Sequence, residues 1–298
     1  MSNPRIAVLG SAENETNARL VAAWTAQGLE SAIVDPCELR PGAGEVLLGR
    51  LDVLPTLDGV EPGLLRLHLA QHWSQRLGVV ILNRAAALLA THDKLRTAVA
   101  LKRAQLPHPL TWRVRPGGVA SPPAAPVVLK PRFGSWGRDV RLCRSNDEVV
   151  DALREFSSRA WFRRHGALAQ EVIPTQGFDQ RVLVAGGRVV GAVERHPQAG
   201  EWRTNVSVGA SKRTVVPEAN ACALAIAAAK VVGADLLGVD LMPLRGGGYV
   251  VIELNGAADF DQRYRLSGDI YAEVADALGL TARSRPPRPD IGASAELL

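Results

Sequence analysis

The sequence contains few cysteines, and they show no paired spacing. Only Cys37, Cys143 and Cys222 occur among its 298 residues. An odd number of widely separated thiols predicts neither a disulfide framework nor a zinc site. We therefore expect a protein of a reducing compartment, the cytoplasm.

Long apolar runs are also missing. No uninterrupted apolar stretch approaches the roughly 20 residues that cross a bilayer, and the longest candidate, residues 219–232, contains Lys230. Polar residues 11–17 directly follow the first apolar run, which a signal peptide would not show. The net charge of +5 is mild and not concentrated in a patch, so we expect neither a membrane nor a nucleic acid as partner. Such a charge suits an anionic ligand such as a nucleotide.

Two common phosphate-binding patterns are absent from the sequence. The loop at residues 10–17 has a single glycine and cannot form the G-x-G-x-x-G turn of a dinucleotide site. The loop at residues 133–138 is not a Walker loop, because Lys130 precedes its glycines and no helix beginning with Lys-Ser or Lys-Thr follows. No Ser-His-Asp or Cys-His arrangement is visible either. The function has to be sought in other motifs.

Strand and helix patterns alternate at the start of the chain. Short apolar strands at residues 5–10 and 31–35 flank a helical stretch at residues 18–27. This rhythm predicts a small parallel α/β lobe. Its second half is predicted as a strand at residues 51–57, a helix at 64–78 and a strand at 79–82.

A glycine-bracketed loop lies between two strand patterns, residues 127–130 and 140–143. Gly134 and Gly137 leave backbone N–H groups exposed, and such groups can close over a phosphate. Read alone, this loop is weak evidence for a nucleotide site.

Further elements are predicted on both sides of this loop. A basic helix runs from residue 91 or 92 to residue 104, with Asp93 in its first turn. Strands at residues 179–184 and 188–194 flank Gly186-Gly187, which predicts a hairpin with a two-residue turn.

Two apolar runs around three glycines, residues 246–248, predict a second hairpin. If the first two glycines form its turn, Asp240 lies directly opposite Glu253, and Asn255 projects on the same side as Glu253. Carboxylates that face each other repel, so we expect a cation between them. Two carboxylates and an amide oxygen suit Mg²⁺ or Mn²⁺ rather than Zn²⁺. The alternative is an edge hairpin whose polar face meets water.

These motifs occur in a specific order, and that order resembles the ATP-grasp ligases. The set comprises Lys94 on its helix, Lys130-Pro131 at a strand end, the Gly-Ser-Trp-Gly loop, Gln170–Ile173, Asp179-x-Arg181, Arg203-Thr204-Asn205, and the hairpin with Asp240, Glu253 and Asn255. Within that superfamily the sequence is similar to the RimK-type glutamate ligases and their LysX relatives. The resemblance covers roughly residues 83–282.

The resemblance implies an α/β protein with the ATP-grasp fold, preceded by a Rossmann-like domain. The expected units are an N-terminal domain at residues 1–83, a lid domain at 84–168, a C-terminal domain with the metal site at 169–282, and a disordered tail at 283–298.

The resemblance also implies a role for each motif. Asp240, Glu253 and Asn255 would hold two Mg²⁺ ions against the ATP phosphates, which Lys94 and Lys130 would also contact and Gly134, Ser135, Trp136 and Gly137 would cover. Gln170, Glu171, Val172 and Ile173 would line the adenine slot, and Asp179 would bind the ribose hydroxyls. Arg203 and Asn205 would act at the transferring phosphate, with Arg195 as a second candidate, whereas Arg181 would orient the pocket or bind the acceptor.

The implied function is an ATP-dependent carboxylate–amine ligase that forms an amide through an acyl phosphate. Glutamate is the expected amino acid, and a protein tail, a carrier protein or a small molecule is the expected acceptor. Residues 206–210 and 256–260 depart from the family pattern near the acceptor, so its identity stays open. An ATP-grasp kinase and a nucleotide-binding module without turnover are the alternatives. Relatives often form homo-oligomers, but no patch in this sequence decides the point.

Overall fold

The computed structural model of the protein describes residues 5–51, 61–117 and 124–283. Within these ranges the chain forms three β-sheets, with helices packed on them. The three sheets follow one another along the chain, and two helices connect the first sheet to the second.

The first sheet is parallel and has the strand order β2-β1-β3-β4. Its elements are β1 (Ile6–Leu9), α1 (Glu15–Ala26), β2 (Ser31–Val34), β3 (Val46–Gly49), α2 (Glu61–Leu77) and β4 (Val80–Leu82). Strands β1 and β3 are buried along their whole length, which is typical of a parallel sheet covered on both faces. The predicted parallel α/β lobe is confirmed.

The third strand of this sheet lies elsewhere than predicted. Residues 46–49 form it, between β1 and β4, whereas Leu51 has irregular backbone and residues 52–60 lie outside the described part of the chain. Gly49 explains why the strand fits here: a Cβ at this position would lie 2.6 Å from the backbone oxygen of Asn83. The sequence pattern missed this short strand because it ends in glycine.

Two helices connect the first sheet to the second. They are α3 (Ala85–His92) and α4 (Lys94–Arg103), so the helix predicted from residue 91 or 92 in fact begins at Lys94. Asp93 separates the two helices as the N-cap of α4, and its carboxylate accepts hydrogen bonds from the backbone N–H groups of Leu95 and Arg96. The cap places Lys94 in the first turn of α4.

The second sheet is antiparallel, in the order β5-β8-β6-β7. It consists of β5 (Thr111–Val114), β6 (Val127–Pro131), β7 (Arg141–Cys143) and β8 (Ala167–Glu171), with the helices α5 (Asn146–Ser157) and α6 (Ala160–His165). Phe156, Trp161 and Phe162 form its core. Strand β8 belongs wholly to this sheet, so the domain boundary predicted after residue 168 falls inside a strand. The other predicted boundaries stay predictions.

The third sheet is also antiparallel, in the order β11-β10-β9-β12-β13. It consists of β9 (Asp179–Ala185), β10 (Arg188–His196), β11 (Ser211–Thr214), β12 (Leu236–Pro243) and β13 (Tyr249–Asn255), with the helix α7 (Ala219–Val232) against it. The predicted two-residue turn at Gly186-Gly187 is confirmed, because Ala185 pairs with Arg188. Both glycines have positive φ, 54° and 78°, as this hairpin turn requires.

The first and third sheets share one hydrophobic core. Trp24 of α1 is fully buried, and its indole N–H donates to the backbone oxygen of Tyr271 at 3.0 Å. Tyr271 lies on α8 (Ile270–Ala277), which precedes α9 (Leu280–Arg283). The predicted disordered tail lies almost entirely outside the described residues. Across the described ranges, no helix combines the length and apolarity that a membrane span needs.

Candidate active site

A cleft of about 280 Å³ lies between the second and third sheets. All of the predicted ATP-binding residues and both predicted catalytic residues line it. Asp240 and Glu253 also line it; they lie on the hairpin of β12 and β13, called the metal hairpin here because it carries the predicted metal ligands. These residues come from the segment between Lys94 and Glu253 and are far apart in the sequence. Asn255 does not line the cleft, but its side-chain amide donates to the Asp240 carboxylate at 3.4 Å.

The metal hairpin has the predicted pairing but not the predicted turn. Asp240 lies opposite Glu253, as expected. The connection, however, spans residues 244–248, since Pro243 pairs with Tyr249, and a bulge between Asp240 and Leu241 restores the register. A β-bulge inserts one residue into one strand, and this extra residue brings Asp240 opposite Glu253 although the turn is longer than predicted. The prediction of a two-residue turn was therefore wrong, although its main consequence holds.

Protein cations contact both carboxylates of this hairpin. Arg181 donates two hydrogen bonds to Asp240, from Nε at 2.6 Å and from Nη2 at 2.8 Å, and Nη2 of Arg195 lies 2.9 Å from the same carboxylate. The side chains of Asp240 and Arg195 are each 4% exposed. Arg181, predicted to orient the pocket or bind the acceptor, holds Asp240 in this structure.

Asp179 completes a buried network of two carboxylates and two guanidinium groups. Its carboxylate accepts hydrogen bonds from Arg195 and from the Thr204 hydroxyl. Burial opposes ionisation of Asp240, but Arg181 and Arg195 outweigh it and lower the pKa of Asp240 to about 2. Burial is the main cause that raises the pKa of Asp179. Because Asp179 is already paired, its predicted role at the ribose stays a prediction.

Glu253 lies in a more open environment. It is 23% exposed at the side chain, and its Oε1 lies 2.9 Å from Nζ of Lys94. The same lysine donates to the backbone oxygen of Gly134 in the glycine loop, at 2.6 Å. Lys94 therefore connects the third sheet to the loop that covers the cleft.

The hairpin has the donor chemistry of a Mg²⁺ site. Carboxylate and amide oxygens are the ligands this cation takes, and Glu253 presents its carboxylate to the cleft. The described residues contain no group of three or more acidic, histidine or cysteine side chains arranged around one point. A cation at the hairpin would thus rely on Asp240, Glu253, Asn255 and phosphate oxygens together.

Lys130 lies at the bottom of the cleft. Its ammonium donates to the side-chain oxygen of Gln170 at 2.8 Å, and the residue is only 7% exposed. Burial lowers the pKa of Lys130 to about 8, and the carboxylates of Glu253 and Asp240 oppose this shift. An anion bound beside Lys130 would favour its charged form and raise this pKa.

The glycine loop also contacts the two predicted catalytic residues. Nη1 of Arg203 donates to the backbone oxygen of Gly137 at 3.2 Å, and the Ser207 hydroxyl donates to that of Trp136 at 2.9 Å. A Cβ at Gly137, where φ is +68°, would lie 2.6 Å from Oδ1 of Asn205. Only glycine fits this contact, which brings Arg203 and Asn205 under the loop.

Sequence reasoning found Val172 and Ile173 but missed the rest of the apolar lining of the cleft. Val128, Leu142, Met242 and Ile252 line it but were not predicted. The period of two along a strand could have identified two of them, because Val128 precedes Lys130 and Met242 follows Asp240 by two residues.

Comparison with known proteins identifies the family of this chain. Residues 120–278, more than half of the sequence, match the model of the RimK-like ATP-grasp domain. The chain belongs to this family. A "Probable alpha-L-glutamate ligase" from Sodalis glossinidius is 32% identical over 226 residues, which are 68% of this chain and 72% of the relative. Another protein of the same name, from Vibrio atlanticus, is 28% identical over 291 residues, 91% of this chain and 93% of the relative.

Solved structures support the fold. The ATP-grasp ligase PsnB, in complex with a minimal precursor, Mg and ADP, superposes with a TM-score of 0.68 at 19% identity and covers 96% of this chain and 99% of its own. D-cycloserine synthetase DcsG superposes with a TM-score of 0.62 at 16% identity, over 93% of this chain and 99% of its own. The predicted ATP-grasp fold is confirmed.

Membership of the RimK-like family also confirms the reaction class. The protein is an ATP-dependent carboxylate–amine ligase.

Proposed function

We propose that the cleft binds ATP with Mg²⁺ at the predicted residues, and that the enzyme ligates the amine of an amino acid to a substrate carboxylate. One observation carries the proposal: a single cleft joins apolar side chains to a set of buried or half-buried cations. Such a combination fits a nucleotide, which has an apolar base and a polyanionic tail.

The two zones follow one another along shared strand faces. Val128 precedes Lys130 by two residues on β6, and Met242 follows Asp240 by two residues on β12. Two residues of a strand span about 6–7 Å. The chain after β8 runs along the apolar zone, where Thr175 bridges to Leu244. Adenine would lie in this zone, against the segment from Gln170 to Ile173.

The cationic zone supplies groups for the phosphates. Lys94, Lys130, Arg195 and Arg203 all line the cleft, and Lys94 and Arg203 each contact the glycine loop as well. A polyphosphate would give these cations a shared anionic partner under the loop. Positioning and charge neutralisation are what phosphoryl transfer requires of a protein.

Asp240, Glu253 and Asn255 would hold Mg²⁺, with two ions as the resemblance implies. Bound Mg²⁺ supplies charge neutralisation to the phosphoryl oxygens during transfer. Glu253 can exchange its partner Lys94 for the cation, since the side chain is 23% exposed. Asp240 keeps its orientation through Arg181 and Arg195.

The reaction takes place in two steps. The terminal phosphoryl group passes from ATP to an oxygen of the substrate carboxylate, and ADP leaves. The amine nitrogen then bonds to the acyl carbon, the bond from that carbon to the phosphoryl oxygen breaks, phosphate leaves with the electron pair, and the amine proton passes to solvent. Arg203 and Asn205, held against Gly137, would stabilise the charge on the transferring group.

Glutamate is the proposed amino acid, on the names of the relatives. A protein tail, a carrier protein or a small molecule is the proposed carboxylate substrate, and cytoplasmic localisation and homo-oligomer formation stay predictions.

The test measures ADP formation with ATP and Mg²⁺ against a panel of amino acids and carboxylates. We expect ADP only when an amine and a carboxylate are both present, and at least a hundredfold loss in Arg203→Met. The matched control is Arg213→Met, because Arg213 is exposed and does not line the cleft. ADP formation that needs no amine would identify a kinase, and nucleotide binding without ADP formation would identify a module without turnover; either result contradicts the proposal.

A further inference from the structure

Two charged residues outside the nucleotide cleft connect the helix α4 to the glycine loop. Asp93 is the N-cap of α4. Arg132 follows the last residue of β6 and directly precedes the glycine loop, residues 133–138. Neither residue lines the cleft, so the proposed nucleotide site gives no role to their charges.

Asp93 and Arg132 form a bidentate ion pair. The Asp93 carboxylate accepts hydrogen bonds from Arg132, one from Nε at 2.7 Å and one from Nη2. The side chain of Asp93 is 1% exposed and that of Arg132 is 19% exposed. Two parallel bonds between a guanidinium and a carboxylate fix the orientation of both groups as well as their distance. Since the same carboxylate caps α4, the pair ties the base of the glycine loop to the start of this helix.

Backbone and ring contacts hold Arg132 in addition. The N–H of Lys94 donates to the backbone oxygen of Arg132 at 3.2 Å. The guanidinium carbon of Arg132 lies 5.2 Å from the ring centroid of Phe133, the first residue of the loop, as in a cation–π contact. The chain that enters the glycine loop is therefore fixed on α4 through its main chain and through its side chain.

Lys94 contacts the glycine loop as well, but through a group that a bound nucleotide would engage. Its ammonium donates to the backbone oxygen of Gly134 and pairs with Glu253. In the proposed function Lys94 contacts a phosphate and Glu253 contacts Mg²⁺, so both present contacts of this ammonium change. The pair of Asp93 and Arg132 lies outside the cleft and can stay intact during that exchange.

We infer that Asp93 and Arg132 are positioning residues of the ligase, whose ion pair holds the glycine loop over the ATP phosphates while Lys94 changes its partners. This inference rests on the proposed function and adds two residues that act without contacting the nucleotide. A loop without this anchor would still close over the phosphates, but it would have to be ordered at the moment of binding, at the expense of affinity.

The first test is calorimetry with two probes, a non-hydrolysable ATP analogue with Mg²⁺ and adenosine, which has no phosphate. In the full-length protein, Arg132→Met should raise the Kd of the ATP analogue at least tenfold and that of adenosine less than twofold. Arg132→Lys should restore part of the affinity, because it keeps the charge but not the bidentate geometry. Arg96→Met is the matched control: Arg96 also pairs with Asp93, at 3.5 Å, but is 60% exposed and lies on α4 itself, so neither Kd should change more than twofold.

The second test is hydrogen exchange of the amides at residues 133–138 in the complex with the ATP analogue. We expect exchange at least tenfold faster in Arg132→Met than in the wild-type protein. The double variant Asp93→Asn/Arg132→Met should behave alike. It leaves no buried carboxylate without its partner, and asparagine caps a helix as well as aspartate does, so this variant keeps the test decisive where the single one does not fold.

Three results would overturn this inference while leaving the nucleotide site intact. The first is an equal loss of affinity for the ATP analogue and for adenosine, which would reveal a role in folding alone. The second is an unchanged Kd of the ATP analogue in the variants, and the third is loop exchange at the wild-type rate in their complexes. Failure of the wild-type protein to bind the ATP analogue would instead contradict the proposed function.

Discussion

The two strands of the metal hairpin carry carboxylates in opposite environments. Asp240 on β12 is buried and bound by two arginines, whereas Glu253 on β13 is partly exposed and bound by one lysine. The two residues face each other across the hairpin, but β12 is an interior strand paired with β9, which carries Arg181, whereas β13 is the edge strand of the sheet. One side of the proposed metal site is therefore fixed in advance, and the other side can exchange its partner.

The largest expected effect follows from removing the charge on the fixed side. In Asp240→Asn, Arg181 and Arg195 lose a shared buried anion, and breaking a buried pair costs about 3–5 kcal/mol of unfolding free energy. Glu253→Gln removes a partly exposed pair and should cost about 1 kcal/mol or less. Urea denaturation of the two variants and the wild-type protein measures both values. Equal losses of unfolding free energy in the two variants would contradict the difference between the two carboxylates.

A smaller effect is expected at Lys130, whose pKa is lowered to about 8 by burial and, to a lesser extent, by the charge of Lys94. Bound polyphosphate favours the charged form and raises this pKa, so nucleotide affinity should fall as the pH rises above 8, by up to about tenfold per unit. Calorimetry at pH 8.5 in buffers of different ionisation enthalpy should show proton uptake on binding. Lys130→Arg, which stays charged, should show neither the fall of affinity above pH 8 nor the proton uptake.

The lowered pKa of Lys130 also affects the stability of the protein without nucleotide. The unfolded lysine keeps its proton up to about pH 10.5, and the folded one releases it near pH 8. The unfolded state thus binds more protons between these values, so the contribution of Lys130 to the free energy of unfolding rises with pH there. A wild-type affinity that is flat from pH 7 to pH 9.5 would contradict the assignment.

Much of this architecture could be predicted from sequence because local rules decided it. The Gly186-Gly187 turn has one favourable geometry, and the cleft residues Lys130 and Gln170 lie on strands whose apolar patterns are clear. The hairpin at residues 244–248 was less predictable, since a longer turn and a bulge together give the register that a shorter turn alone would give. No local pattern distinguishes the two solutions.

What the sequence did not show depends on contacts between distant segments. The motif around Arg181 is compatible with a role in substrate binding. The pairing of β9 with β12, however, brings Arg181 into contact with Asp240. The chain after β13 likewise packs against the first lobe, where buried Arg50 and Thr16 donate to the backbone oxygens of Ala258 and Phe260. Such long-range polar contacts have no periodic signal in a single sequence.

The most direct test of the account is a calorimetric titration of ATP with Mg²⁺ into the wild-type protein, Glu253→Gln and Glu273→Gln. Glu273 lies on α8, does not line the cleft, and serves as the matched control. Since contacts to charged groups are worth about 1.5–3 kcal/mol, Glu253→Gln should weaken binding roughly tenfold to hundredfold and abolish most of its dependence on Mg²⁺. Equal affinities in all three proteins, or no binding to the wild type, would contradict the assignment of this hairpin as the metal site of the ligase.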